Sequence, residues 1–244
     1  MTRARDAADQ INRVNSSAAD ATAITISASE NVGIGTSSPS EKLEVSRTDS
    51  DNAIARFSTN NATADIFLES SEGQIRLRKP SGAEFAILNN SNTERMRIDA
   101  NGTVTMPYQP AFSVKPAGAQ NNIAVNAQVQ IIWGTETFDV GGNFASNVFT
   151  APVSGKYQFN VVVGVENLDS AAIYAETVLI TSNTSIYTTI DPDFGQDNAF
   201  WSFTTPVLCD MDAGDTASVA IVQGGGTAQM DVRIYSHFSG FLAC

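Results

Sequence analysis

The side chains best suited to ligand chemistry are gathered in one stretch of the C-terminal half. The stretch combines three carboxylates with two aromatic rings: Asp191, Asp193, Phe194, Asp197 and Trp201. Carboxylate oxygens are ligands that calcium prefers. Aromatic rings beside Asp and Asn side chains also suit a sugar, because the rings stack on its apolar face while the polar groups bond its hydroxyls. We predict that these five residues form a ligand-binding site.

The aspartates are spaced by two and then four residues, which is similar to a calcium loop but differs at one necessary position. An EF-hand needs a bidentate Glu eleven residues after its first Asp, and Ser202 stands there. Three interpretations stay open: a non-EF calcium site completed by Asp169, a sugar-stacking surface, or an ordinary loop whose aromatic rings fold inward. Calcium is the one candidate cofactor, and we expect no other.

The sequence offers little for catalysis. The single histidine, His237, lies in a stretch that predicts a strand, so we interpret it as a structural or interface residue. No Ser or Cys nucleophile motif and no pair of metal-binding histidines is present. Two carboxylates on different strands suffice for glycoside cleavage, but no spacing singles out such a pair. We therefore predict that the protein is not an enzyme.

The formal net charge is −12, and it is concentrated in residues 108–244, where three bases stand against twelve acids. Such a surface repels nucleic-acid phosphates and anionic lipid, so we expect neither as a partner. No apolar run of about 18 residues is present, and we expect no membrane insertion. Cys209 and Cys244 give neither a disulfide framework nor a zinc pattern.

Residues 1–28 lack the apolar core of a signal peptide. We therefore expect synthesis in a cytoplasm and release by another route, such as virion assembly followed by host lysis. In residues 1–30, small and apolar side chains recur at steps of three and four. This pattern predicts a short N-terminal helix or coiled coil, which we interpret as an anchor in a larger assembly.

Residues 31–107 predict short strands separated by turns. The candidate strands are 53–57, 65–69, 74–78, 84–88 and 95–98. One chain of this composition holds too few apolar residues for its own core, which favours a β-rich shaft of three chains about an axis. Residues 108–244 alternate strongly with period two, and this predicts a mainly β fold with a C-terminal ten-strand jelly-roll sandwich, the head.

Three motifs of the head carry a family resemblance. They are 149–159 (FTAPVSGKYQF), the Gly214-Asp215 turn and 236–242 (SHFSGFL). Together they resemble the globular domain of complement C1q and of tumour necrosis factor, over almost all of residues 108–244. The resemblance implies a homotrimer whose core and threefold seam contain Tyr157, Phe159, Phe238, Phe241 and Leu242. Each of these side chains also fits the core of a single chain.

Two motifs before the head carry a second resemblance. Residues 31–45 (NVGIGTSSPSEKLEV) and 94–102 (ERMRIDANG) resemble elements of bacteriophage tail-fibre and tail-spike shafts, and 2–6 (TRARD) resembles the start of short phage fibres. From the residues themselves, Gly33 and Gly35 indicate close backbone approach or a positive φ.

The sequence thus predicts a structural virion protein, a trimeric tail fibre or spike whose head binds the host cell surface. Its expected partners are two further copies, other virion proteins at the N-terminal segment, and a host glycan or protein. The alternative is a capsid decoration or cement protein, or a baseplate or collar component, with no receptor role.

Overall fold

The computed structural model describes residues 24–46, 59 and 61–244, and every regular element within these residues is a β-strand. The predicted mainly β class is confirmed. The predicted N-terminal helix, up to residue 23, and the predicted strand at 53–57 lie outside the described residues. Residues 24–30 form a strand and a turn instead of the end of a helix, because two of the first three are β-branched isoleucines that favour extended backbone.

The first sheet contains three short strands, β1 (Ile24–Ile26), β2 (Val32–Ile34) and β3 (Leu43–Val45). β2 pairs antiparallel with β1 and parallel with β3. The predicted need for glycine is confirmed at two positions. A Cβ on Gly33 would lie 2.7 Å from the carbonyl oxygen of Thr36, and Gly35 combines a φ of 74° with a Cβ position that collides with the backbone of Ser46.

The second sheet has five strands, which follow one another in chain order. They are β4 (Ala64–Ser70), β5 (Gly73–Lys79), β6 (Phe85–Asn89), β7 (Glu94–Ile98) and β8 (Val104–Thr105). The four strands predicted between residues 65 and 98 are confirmed as β4 to β7. The contacts of the chain form two compact units, and the larger one comprises Leu68–Arg76 and Glu84–Cys244.

Three turns before the head, at 27–31, 89–93 and 99–103, share one hydrogen-bond pattern. In each turn the backbone N–H of the first residue donates to the carbonyl of the fifth, and the N–H of the fourth donates to the carbonyl of the first, at 2.9–3.0 Å. The side-chain oxygen of the first residue accepts the N–H groups of the third and the fifth; that residue is Ser27, Asn89 or Asp99. The fourth has a positive φ. A polar side chain at the first position therefore specifies the turn.

The head is a sandwich of two six-stranded sheets. The strands of one, the β14 sheet, are β9 (Ala111–Lys115), β11 (Thr135–Val140), β14 (Gly155–Leu168), β17 (Asn198–Met211), β19 (Asp231–Val232) and β20 (His237–Leu242). Their order is β11-β9-β20-β14-β17, with β19 also pairing with β14.

The strands of the other, the β18 sheet, are β10 (Gln128–Gln130), β12 (Phe144–Ala145), β13 (Val148–Thr150), β15 (Tyr174–Thr181), β16 (Ser185–Ile190) and β18 (Thr216–Gly224). Their order is β12-β13-β18-β15-β16, with β10 also pairing with β18. The predicted jelly-roll sandwich is confirmed. The strands number twelve where ten were expected, and β12 and β19 are ladders of only two residues.

Aromatic rings fill the space between the two sheets. The ring centroid of Phe112 lies 5.1, 4.8 and 4.9 Å from those of Phe144, Phe149 and Phe238. Gly240 of β20 faces this cluster, where a Cβ would lie 2.6 Å from the ring of Phe159 and 2.8 Å from that of Phe112. The backbone itself packs against two rings there, which is why the closing motif needs glycine.

The residues predicted for the trimer seam or core occupy two kinds of position. Tyr157, Phe159 and Phe238 are fully buried within the chain. Phe241 faces outward and is 45% exposed, because the side chains of β20 alternate, and Leu242 packs half-buried against the core. Burial raises the pKa of the Tyr157 phenol.

The sandwich has two ends, which we call proximal and distal, and the segment before the head joins it at the proximal end. At the proximal end, the Lys156 N–H donates to the carbonyl of the last residue, Cys244, at 2.7 Å, and Gln109 Nε2 donates to the Leu242 carbonyl at 2.6 Å. Residues preceding the head therefore connect at this end. β14 then runs for 14 residues, or roughly 45 Å, to Leu168 at the distal end.

Candidate ligand-binding site

A buried carboxylate organises the loops at the distal end. Asp169, just after β14, is 5% exposed, and its two oxygens accept the backbone N–H groups of Ala171, at 2.8 Å, and of Thr227. Gly226 must be glycine, because its φ is 72° and a Cβ there would lie 2.6 Å from Asp169 Oδ2. One side chain thus ties the loop after β14 to the loop after β18.

These loops border an open cavity of about 430 Å³, which we call the distal pocket. Its lining is polar except for one alanine and comprises Asn122, Asn167, Asp197, Asn198, Ala199, Gln229 and Asp231. Asn122 and Asn167 have φ values of 54° and 56°. Asparagine tolerates this left-handed conformation better than most residues, so these irregular backbone positions also supply amide groups to the pocket.

Asp197 is held in place by three hydrogen bonds. Its Oδ1 accepts the backbone N–H and the hydroxyl of Ser170, both at 3.0 Å, and its Oδ2 accepts Gln229 Nε2 at 2.9 Å. These donors lower the pKa of the carboxyl below its usual range, with the Ser170 N–H as the main cause. Asp197 is therefore a charged acceptor at neutral pH.

Asp231 forms the opposite wall and is held in the same manner. Its Oδ1 accepts the Asn122 N–H at 2.7 Å, and its Oδ2 accepts Asn167 Nδ2 at 3.0 Å. The register of β14 with β19 pairs Asp231 with Glu166, one residue before Asn167. The wall is therefore fixed by sheet pairing and not by loop conformation alone.

The pocket is rich in acceptors. Asp197 Oδ2 and both oxygens of Asp231 each keep a lone pair after their bond to the scaffold, whereas Asp197 Oδ1 already accepts two bonds. Asn198 adds an amide, and its side chain makes no hydrogen bond to any part of the chain that the structure describes. No Lys, Arg or His lines the cavity. Such a lining suits a ligand with several hydroxyl donors and no negative charge, such as a neutral sugar.

Of the five residues predicted as a ligand site, the structure places one in the distal pocket, Asp197. Asp191 and Asp193 are exposed, and the Asp193 N–H donates to Asp191 Oδ1 at 3.1 Å in a local turn. The rings of Phe194 and Trp201 lie 5.6 Å apart, with Trp201 half-buried against the core and Phe194 44% exposed over it. This pair therefore covers the edge of the core.

The calcium interpretation finds no cluster to support it. Asp169, which was expected to complete the site, gives its two oxygens to backbone N–H groups. Within residues 24–46, 59 and 61–244, no group of three or more His, Cys, Asp or Glu side chains could hold a metal ion.

Sequence reasoning missed a second group near the pocket, on the outer face of the β14 sheet. The Arg233 guanidinium lies 4.5 Å from the ring centre of Phe200 and 5.1 Å from that of Tyr235. Arg233 Nε also lies 3.7 Å from a carboxylate oxygen of Glu166. Phe200 and Tyr235 are 61% and 66% exposed. The only available signal was the alternation of β17, which directs Phe200 outward.

The same outer face carries apolar side chains toward the proximal end. Phe241 pairs in register with Ala111 and Gln158, and Gln158 pairs with Leu208. Paired residues point to one face, so these side chains form a row across four strands. Leu208 is 55% exposed, and Phe138 on β11 is 49% exposed. His237 is also exposed. This face presents the apolar area that contact between copies of the chain requires.

The two-sheet sandwich is a jelly roll with a polar pocket at its distal end. The chain belongs to the C1q domain family, because residues 111–243, more than half of its length, match the family. Domains of this family and their tumour-necrosis-factor-like relatives form homotrimers and typically act as binding modules.

Two solved structures illustrate the likeness. The globular domain of the zebrafish complement 1qA protein has 21% sequence identity and a TM-score of 0.42, covering 56% of this chain and 98% of that chain. Murine APRIL at pH 8.5 has 9% identity and a TM-score of 0.40, covering 55% and 98%. No curated protein matches the sequence. The described part of the chain contains no helix long and apolar enough to cross a membrane.

Proposed function

We propose that this protein is a trimeric fibre or spike of a bacteriophage virion, and that its head binds a neutral glycan on the host cell surface. The observation that carries the binding role is the distal pocket, which lies at the end of the sandwich opposite to Gln109 and Leu242. A projecting head attached at its proximal end presents this pocket to whatever the fibre meets.

The part before the head supports the fibre assignment. Residues 31–45, which resemble a phage shaft motif, adopt a compact sheet in which Gly33 and Gly35 are sterically required. Residues 64–105 add a β-rich segment directly before the head. We assign attachment to other virion proteins to the N-terminal segment.

The proposed mechanism is binding without chemistry. Hydroxyls of one sugar donate to Asp197 and Asp231, and the Asn198 amide provides one further polar contact. A single open pocket gives weak affinity. Three pockets on one trimer and several trimers on one virion raise the effective concentration of the second and later contacts, which makes attachment strong without any new contact.

The test is adsorption to host cells in competition with the purified full-length protein. Wild-type protein should block virion adsorption, and Asn198→Ala should lose about tenfold or more in blocking potency because each weakened site acts repeatedly through avidity. Asp212→Asn, at the proximal end, is the matched control and should block like wild type. Asp191→Asn tests the part of the predicted site that lies outside the distal pocket.

Equal blocking by wild type and Asn198→Ala, with a loss in Asp191→Asn, would move the site to the loop around Asp191 and Asp193. No blocking by wild type would remove the receptor role. Immunogold labelling of virions with antibody to the head then addresses the alternative. Gold at the tail supports a fibre, whereas gold over the capsid faces supports a decoration protein.

A further inference from the structure

The strands directly before the head form an amphipathic sheet. On β7, Met96 and Ile98 alternate with Arg95 and Arg97. Ile98 pairs with Phe85 of β6 and with Val104 of β8, and Met96 pairs with Ile87. Paired residues share a face, so these five apolar side chains form one continuous surface, which we call the apolar face.

The opposite face is ionic. Arg97 pairs in register with Ala86 and Thr105, and its guanidinium bonds the carboxylates of Glu84 and Glu94. The guanidinium of Arg95 lies 4.4 Å from the ring centre of Tyr108. These charged groups satisfy one another, and Ala86 and Leu88 on the same face are buried within the chain. The ionic face therefore needs no further partner.

The apolar face has no such partner within its own strands. Phe85 is 39% exposed and Val104 is 51% exposed, while the other three side chains are half-buried. A contiguous apolar surface of this kind on a small sheet indicates contact with another protein surface.

We infer that the apolar face is covered by the same face of two further copies of this chain, so that three sheets form a common core beneath the head. The inference rests on the trimeric head of the proposed function. It extends the interface between copies below the head and assigns named residues to it.

The first argument is continuity with the head. β8 ends at Thr105 and β9 begins at Ala111, and the connection between them is fixed to the head. Gln109 Nε2 bonds the Leu242 carbonyl at 2.6 Å, and the Leu242 N–H bonds the Pro110 carbonyl at 3.0 Å. Three heads that associate therefore hold three sheets side by side at high effective concentration.

The second argument is charge. Around a threefold axis, each residue meets its own equivalents. Turning the ionic face inward would strip water from the ion pairs of Arg97 with Glu84 and Glu94, which is costly, whereas Phe85, Ile98 and Val104 would pack. Only the apolar face suits the axis.

The test compares two neighbouring residues that point to opposite faces. Val104 and Thr105 are both exposed within the single chain, so a cysteine at either position is accessible to reagent in a monomer. In the full-length chain with the exposed Cys244 changed to Ser, Val104→Cys should give dimers on a denaturing gel after treatment with a short flexible bismaleimide. Thr105→Cys should stay monomeric.

A second readout uses charge. Val104→Glu should accelerate amide exchange in residues 85–105 by about tenfold or more, because opening of the packed sheets becomes easier, and Thr105→Glu should leave exchange unchanged. If Val104→Cys stays monomeric on the gel and Val104→Glu exchanges like wild type, the inference is overturned.

Light scattering of the same samples separates the two ideas. A trimer without cross-linking at position 104 rejects the shared core but retains the trimeric head. A monomeric full-length protein rejects both.

Discussion

The head and the five-stranded sheet before it differ in how far a single chain buries their apolar side chains. In the head, two sheets face each other, and Phe112 lies among four other rings that are nearly or fully buried in one chain. In the five-stranded sheet, Phe85 occupies a comparable strand position but is 39% exposed. The difference teaches that alternation alone does not decide burial. Burial requires a second sheet packed over the apolar face, and the head contains both sheets within one chain.

The first prediction, with the largest expected effect, tests this comparison by truncating the two phenylalanines. Phe112→Ala should lower the free energy of unfolding by about 3–5 kcal/mol, because it removes a ring from the centre of a packed core and leaves a cavity. Phe85→Ala removes the same atoms from a partly exposed side chain and should cost less than about half as much. Denaturant unfolding at matched protein concentration measures both.

Matched concentration matters because dissociation of copies contributes to the unfolding of an oligomer. If Phe85→Ala costs as much as Phe112→Ala at every protein concentration, the sheet has an intrachain core and the contrast is wrong. If the loss of unfolding free energy in Phe85→Ala becomes smaller on dilution, the contrast is supported, because the layer that covers Phe85 then comes from another copy.

Most of the fold of the head could be predicted from the sequence. Alternation places Tyr157, Phe159 and Val161 on one face, and the closing motif places Gly240 where only glycine packs against two rings. The strands between 65 and 98 were also predictable, since turn residues separate them. The common turn at 27–31, 89–93 and 99–103 was not predicted as one motif, because Ser, Asn and Asp fill its first position interchangeably.

The candidate site could be predicted only in part. Asp197 was found because it lies in a stretch with other acids and aromatic rings. Asp231 was not, because its partner Asn122 lies 109 residues away in the sequence, and only the pairing of β14 with β19 brings the segments together. Asp169 looked like a ligand and is a structural acceptor. The sequence shows which residues are polar, but strand pairing decides which N–H groups lie within hydrogen-bond distance of them.

The second prediction concerns whether the Asp169 carboxylate stabilises the loops at the distal end of the head. Asp169→Ala leaves the N–H groups of Ala171 and Thr227 without their acceptor and should lower stability by about 1–3 kcal/mol. Asp169→Asn keeps one acceptor oxygen and should cost less. Thermal unfolding gives the stability, and proteolysis within 225–231 reports the loop.

Equal stability of Asp169→Ala and wild type would mean that the loops are held by the sheets alone. Cleavage within 225–231 in Asp169→Ala but not in Asp169→Asn would show that the carboxylate position, and not merely side-chain volume, supports the distal pocket.

The smallest effect is a pH dependence in the turns before the head. The Thr103 N–H, followed by that of Asn101, lowers the pKa of Asp99 below its usual range in the folded protein. A carboxyl with a lowered folded pKa contributes stability that is present above its unfolded pKa, about 3.9, and is lost as the pH falls through the folded pKa. Asp99→Asn should therefore melt below wild type at pH 7, and the gap should close as the pH falls through the lowered folded pKa.

Asn89 offers the converse experiment, because it holds the same position in its turn and accepts the same two N–H groups without a charge. Asn89→Asp should raise the melting temperature at pH 7 and lose that gain in acid. If both variants instead show shifts that do not change with pH, the turn is specified by the geometry of the acceptor and the charge adds nothing. The interchange of Ser, Asn and Asp across the three turns would then reflect acceptor geometry alone.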